Sequence, residues 1–370
     1  MITSNAFIIV TASISNSVTV PRMRWRGCIM VLNLFVCDNR VSSLQNVYRQ
    51  YRMPRTDCQE SLLMKVSIVT PSYNQGQFIE RTLQSVANQS GAEIEHVVFD
   101  GGSTDETVEV LKAFNPPVRW VSKKDKGQTD ALNQGIQETD GDIIGWLNSD
   151  DTYYPGAIAR VVEFFAANPD VDVMYGLADY TDVDDHPFDE YPTEPWDFER
   201  LKDTCFICQP ALFFRRRVVD EFGLFDDSLN YCMDYEYWLR LGKGGVKFAF
   251  LDEKLATSRL YAENKTMSAK VKVCTEINNV FIRHFGKVPD RWLIKYAFAV
   301  VTQGATDQNN SGFTKVKAAI YTIVSALRWN KCISFAMIGN LFSKLIQAVI
   351  PLGNKVAPSD KVTSKYEDRL

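Results

Sequence analysis

Long hydrophobic runs are missing from this 370-residue sequence, and histidine is scarce, with three in all. The apolar stretch Cys28 to Cys37 is far too short to span a bilayer, so a bundle of membrane-spanning helices is not expected. Ile2 to Val20 has no basic start and makes a poor secretory signal. The eight cysteines follow no framework-like spacing. Cys205 and Cys208 form a lone Cys-x-x-Cys with no second pair and no nearby His, which argues for core thiols rather than a zinc site. Reduced thiols suit a cytosolic chain. No internal repeat is visible.

Charge is present but uneven. Residues 1–63 hold seven Arg, no Lys and three acids, and residues 281–370 hold 13 basic and five acidic residues. The net charge of −4 then leaves 64–280 at −16. An acidic body argues against a nucleic-acid groove, because phosphate backbones need Lys and Arg. It can still bind a nucleotide if a metal ion supplies the positive charge.

Residues 1–63 show no sustained period, whereas Met64 to Thr70 reads as a natural start running into a first strand. Residues 1–63 are therefore expected to be an upstream mis-extension or a poorly ordered leader. From Val66 strands and helices alternate. Strands are expected at Val66–Thr70, Ile94–Phe99, Val118–Ser122, Ile143–Leu147 and Val171–Tyr175. Helices are expected at Gln77–Asn88, Glu106–Phe114 (capped by Asp105), Gly127–Glu138 and Pro155–Asn168. This pattern predicts an α/β fold with a mostly parallel central sheet and helices on both faces.

Residues 179–197 have loop composition. Beyond them, strands are expected at Ala211–Phe214 and Val246–Leu251, and helices at Arg217–Glu221 and Asp234–Leu241. From about Thr275 the chain turns helical, with apolar residues at helical spacing over 314–327 and again over 338–349. Residues 64–270 are thus expected to form the main α/β domain, 271–353 a helical extension and 354–370 a disordered tail.

Candidate chemistry gathers at the carboxyl ends of the strands, where ligands bind in open α/β sheets. The apolar run Ile143 to Leu147 ends in Asn148-Ser149-Asp150-Asp151. Two hard carboxylates suit Mn2+ or Mg2+ carrying a phosphate; an Asx turn or helix cap explains them equally well. Tyr73 can stack on a base and Asp100 can accept from a base or ribose.

Taken together, Val66–Gln75, Asp100–Asp105, Gly141–Asp151 and Asp234–Arg240 resemble the family 2 glycosyltransferases, over about residues 64–265. The resemblance implies a GT-A (Rossmann-like) nucleotide-sugar domain, bearing a C-terminal helical extension. Thr70, Pro71, Tyr73 and Asn74 match the family's first nucleotide loop, and Asp100 its base-reading acid. Asn148-Ser149-Asp150 matches the D-x-D motif, with Asn148 standing where an Asp is usual. Asp150 then carries the metal, with Asp151 as the following acid. Asp130 and Asn133 match positions beside the donor, and Arg259 lies in a segment that can meet a phosphate. Asp234 matches the base that deprotonates the acceptor, Glu236 is a reserve candidate, and Met233 replaces a usual Glu. No His is assigned a role.

The resemblance thus implies inverting, metal-dependent transfer from a nucleoside-diphosphate sugar, UDP type favoured, to a hydroxyl of a glycan or lipid-linked acceptor. Without a Gln-x-x-Arg-Trp segment, single-sugar addition is expected. A nucleotidyltransferase is disfavoured, because Pro71–Gly76 lacks the basic grip on a triphosphate. A non-catalytic sugar-nucleotide binder stays open on Asn148 and Met233. The expected location is cytoplasmic, at the inner face of the plasma membrane if the basic C-terminal helices touch lipid.

Overall fold

The computed structural model describes residues 64–261, 269–303 and 312–339. The expectations for 1–63, for most of the 338–349 helix and for the 354–370 tail lie outside the described residues.

Nine strands form one sheet in the order β3-β2-β1-β4-β8-β6-β9-β5, with β7 paired to β6. The first half is parallel: β1 (Lys65–Ser72) lies between β2 (Glu93–Asp100) and β4 (Ile143–Trp146), and β3 (Arg119–Ser122) lies outside β2. Helices α1 (Gly76–Ala87), α2 (Thr107–Ala113) and α3 (Gln128–Gln137) make the crossovers. Alternation along β1 explains how both faces fill. Val66 and Ile68 pack with Ile158 and Val161 of α4 (Ala157–Ala167), whereas Val69 packs with Ala131, Leu132 and Ile136 of α3.

The second half is mixed. β5 is the two-residue strand Thr152–Tyr153, and β6 (Val173–Thr181) runs longer than the sequence pattern suggested. β6 pairs in parallel with β9 (Phe248–Arg259) and antiparallel with β8 (Leu212–Arg215), which in turn runs antiparallel to β4. Most paired residues of the sheet still lie in parallel ladders. The expected loop over 179–197 is corrected in part. β7 (Pro187–Glu190) closes a hairpin on β6, and its Asp-rich composition belongs to the tight turn between them. The charged middle of β9, Asp252 to Lys254, is exposed where the register with β6 shifts, which hid its length from the sequence pattern.

Helices α5 (Phe198–Asp203), α6 (Arg216–Phe222) and α7 (Met233–Lys243) cover one side of the sheet. Beyond them α8 (Lys270–Phe285), α9 (Asp290–Thr302) and α10 (Gly312–Trp329) continue the same core through Phe281, Trp292 and Trp329. The cap of α2 sits at Glu106 without a side-chain bond, one residue beyond the expected Asp105. Asp105 instead accepts from the amide of Gly76 at the start of α1, at 3.0 Å, and from that of Thr107 at 3.1 Å.

His96 of β2 sits with Nε2 3.0 Å from the buried Thr70 Oγ1, and burial pushes its pKa down from 6.5 to about 4. Folding therefore favours the neutral ring. Its contribution is complete above pH 6.5 and is lost as the pH falls toward 4. At pH 5 the loss is about 2 kcal/mol. Urea unfolding at pH 7 and pH 5 should show that difference, and His96→Gln should flatten it.

Candidate active site

Three loops meet at the carboxyl edge because β2, β1 and β4 are neighbours in that order. The first two are sewn together. Asn74, in the left-handed region at φ 52, accepts from the Thr104 amide at 2.9 Å and donates its own amide to Ser103 Oγ at 2.7 Å. A small polar side chain tolerates that backbone. Asp100 is 2% exposed and accepts from Gly102 N, Ser103 N, Ser103 Oγ and Ser122 Oγ. It is the anchor of its loop and does not line the cavity, so the expected base-reading acid is turned inward. Asp125, in the loop after β3, does line the cavity. A Cβ on Gly101 would come to 3.0 Å from Asp125 Oδ2, so a side chain there would have to push that carboxylate aside by a few tenths of an ångström. Burial pushes Asp125 above the usual carboxylate range, with Asp130 and Asp100 adding to it.

Asn148 organises the third loop. Its Oδ1 accepts from Gln128 Nε2 and Trp146 Nε1, both at 2.8 Å. An indole nitrogen only donates, so the amide oxygen must face it. The Nδ2 group then points at Asp151 Oδ2 (3.1 Å) and Gln209 Oε1 (2.9 Å). Gln209 is held in turn by donating to the Trp146 carbonyl at 2.6 Å. All four bonding positions of Asn148 are taken by protein, so it orders the loop.

Asp151 is 4% exposed, with Oδ1 accepting from the Arg259 amide and Oδ2 from Asn148. Asp150 Oδ2 accepts from Tyr261 Oη at 2.8 Å, and Gln75 Nε2 reaches the same phenol at 3.3 Å. Burial pushes both carboxyls up, Asp151 well above the usual range with the Asp150 charge adding to it. A divalent cation would relieve that penalty. The donor set fits one: Mg2+ and Mn2+ are commonly held by one or two carboxylates plus substrate phosphates. Asp150 is the better placed ligand, since both Asp151 oxygens are engaged.

The Arg259 side chain is 1% exposed. It donates to the carbonyls of Asp150 and Asp182, pairs with Asp185 and lies 4.7 Å over the Phe78 ring. It braces the Asp150 loop against the β6–β7 turn instead of reaching for a phosphate. In that turn Asp182, Asp184 and His186 bring ligand atoms within 4.8 Å of one another, a second place able to hold a cation. Thr70 is buried against His96, Asp130 accepts from the Lys126 amide, and Asn133 bonds both backbone groups of Phe225. None of these three lines the cavity, whereas Pro71, Tyr73 and Ser149 do.

The cavity, about 920 Å³, continues from these loops to Asp234 in the first turn of α7. Asp234 is half-buried. Glu276 of α8 holds the segment before it by accepting the amides of Asn230, Tyr231 and Cys232 at 2.7–2.9 Å. Glu236 lies elsewhere. It is 2% exposed, absent from the cavity wall and paired with Arg240 at 3.0 Å. His284 Nε2 approaches it to 2.9 Å, without the geometry of a hydrogen bond. This corrects the reserve-base expectation: two residues beyond Asp234, about 200° round the helix, the side chain points into the core. Cys274, Ile277, Trp292 and Lys295 of α8 and α9 complete the wall. Cys205 and Cys208 also lie there as thiols pushed up by burial, Cys205 to about 12, in keeping with an inert core role.

The sequence alone assigns no role to Gln128, Gln209 or Tyr261, although each lies in a segment resembling the family, and it does not single out Asp125. Asp125 carried a usable signal, since it accepts the amide of Gly127 two residues on in an Asx-type turn.

Residues 67–223 match the family model described as glycosyl transferase family 2. An uncharacterized glycosyltransferase of Rickettsia prowazekii is 30% identical over 219 residues, covering 55% of this chain and 66% of that protein. A PGL/p-HBAD biosynthesis glycosyltransferase of Mycobacterium tuberculosis is 30% identical over 179 residues, covering 47% and 68%. The chain thus spans just under two thirds of the first of these relatives. Among solved structures, Staphylococcus aureus TarS 1-349 in complex with UDP-GlcNAc superposes with a TM-score of 0.53 at 16% identity, covering 77% of this chain and 89% of that one. A mannosyltransferase of Pyrobaculum calidifontis in complex with GDP-Man and Mn2+ superposes with a TM-score of 0.50 at 17% identity, covering 83% and 88%. These likenesses concern the fold.

Proposed function

The chain belongs to the family 2 glycosyltransferases, and we propose that it moves one sugar from a nucleoside diphosphate to an acceptor hydroxyl with inversion. One observation carries this reading: Asp150 and Asp234 line the same cavity, one from the nucleotide loops and one from α7. An inverting displacement needs a base on the face opposite the leaving group.

On the donor side, Tyr73 offers a face for the base, and Asp125 and Gln128 offer polar contacts. Asp150 would hold the cation, Mn2+ or Mg2+, with Tyr261 bonding its carboxylate and Arg259 its backbone carbonyl. The bound cation would neutralise charge on the leaving diphosphate. On the other side Asp234 takes the proton from the attacking hydroxyl. Glu276 keeps that carboxylate at the cavity by holding the backbone before α7. Cys274, Ile277, Trp292 and Lys295 make the acceptor wall, so the helical extension belongs to the substrate site. A UDP-type donor is favoured, and the acceptor is a glycan or lipid-linked hydroxyl.

Thermal melting with a panel of nucleoside diphosphates tests the donor half. At ligand roughly 100-fold above Kd the melting temperature should rise by about 5–10 °C. The rise should need Mn2+ or Mg2+ and should vanish in Asp150→Ala. Flat melting curves with every nucleotide would sink the reading.

A further inference from the structure

Helix α10 is built inside out. The face it packs inward consists of Ala318, Thr322, Ser325, Ala326 and Trp329, all buried. Ser325 Oγ meets the Leu293 carbonyl at 3.4 Å, and Trp329 stands edge-on to Tyr296 of α9 at 4.8 Å. The large aliphatic residues point the other way. Ile320, Val324 and Leu327 are 56%, 53% and 50% exposed, and Ile323 is 36% exposed. Spacings of three, four and seven put these four on one stripe. Phe335 and Ile338, just beyond the helix, are exposed as well. Apart from Trp329, the helix turns small residues inward and its large aliphatic residues outward, which leaves an exposed apolar stripe. None of these residues lines the cavity.

Charge selects the occupant. From residue 308 to 359 the sequence contains six Lys or Arg and no Asp or Glu. Lys317 and Arg328 lie about 20° apart round the helix, together on the margin of the stripe beside Val324, and Arg328 also reaches Tyr296 Oη at 3.5 Å. A second copy of this chain would bring the same positive charges to the contact and repel. An apolar stripe with a cationic margin and no acid instead suits the boundary of an anionic bilayer, where aliphatic side chains enter the acyl region and long cations reach phosphate. No helix among the described residues is long and apolar enough to cross a membrane, so the contact is a surface one.

We propose that the outward stripe of α10, Ile320, Ile323, Val324 and Leu327 with Lys317 and Arg328, docks the protein onto an anionic lipid surface. This goes beyond the transferase reading and does not rest on it.

Flotation of the full-length protein with phosphatidylcholine vesicles, with and without phosphatidylglycerol, tests the proposal. Binding should need the anionic lipid and weaken as salt rises, since exposed charges are screened. Lys317→Gln with Arg328→Gln should lower the partition coefficient roughly 25-fold. Ile320→Ser with Val324→Ser should lower it by at least about tenfold, with an unchanged melting temperature because both side chains are outside the core. Failure to float with the anionic vesicles would overturn the inference, as would flotation that ignores the Ile320→Ser, Val324→Ser change. A dimer in light scattering that this double variant dissolves would assign the stripe to a second copy. A fall in its melting temperature would assign the stripe to the chain's own remaining residues.

Discussion

Asp234→Asn should lower sugar transfer about 10³-fold while nucleoside-diphosphate binding stays within about twofold. The amide can still accept from the Tyr235 backbone as Oδ1 does at 2.7 Å, so the α7 start keeps its shape. It cannot take the proton of an attacking hydroxyl. Release of nucleoside diphosphate from the donor sugar, to water or to acceptor, gives the rate. Glu236→Gln supplies the contrast. Its carboxylate is buried on Arg240, so that variant should keep its rate and lose about 2 kcal/mol of stability. A normal rate in Asp234→Asn with a collapsed rate in Glu236→Gln would reverse the two assignments.

Asn148→Asp should be harmful, although it restores the acid usual at the start of a D-x-D motif. The Asn148 amide group donates to Asp151 and Gln209. A carboxylate there has nothing to donate and would face Asp151 across about the same 3.1 Å. Asp151 already sits in surroundings that oppose its charge. The expected cost is about 3 kcal/mol, a fall in melting temperature of roughly 5–10 °C. The deficit should shrink as the pH drops, because one proton shared by the two carboxyls restores a donor. Thermal melts at pH 7.5 and pH 5.5 check both statements. A variant as stable as the parent at pH 7.5 would mean that the Asn148 network does not hold the loop.

Much of this architecture is local in origin. Val66 to Tyr175 alternates strands and helices with a clean period, so β1–β4, α1–α4 and the start of β6 are all legible. Loop positions follow from strand ends, so Tyr73, Asn148 and Asp150 fall at the edge they were assigned to. What the period cannot carry is where long-range partners come from. β8 and β9 join the sheet out of sequence order, and the charges in the middle of β9 erase its pattern.

Side-chain roles divide on the same line. Whether a polar residue faces ligand or protein depends on neighbours remote in the chain. Asp100 is claimed by Ser122, Asn133 by Phe225 and Arg259 by Asp150, Asp182 and Asp185. Tyr261 reaches Asp150 from 111 positions away. The stripe on α10 makes the point most simply. Its spacing is plain in the sequence, and apolar spacing ordinarily means a core-facing side. Only the packed chain turns it outward, with Ala318, Thr322, Ser325, Ala326 and Trp329 taking the side that meets the core.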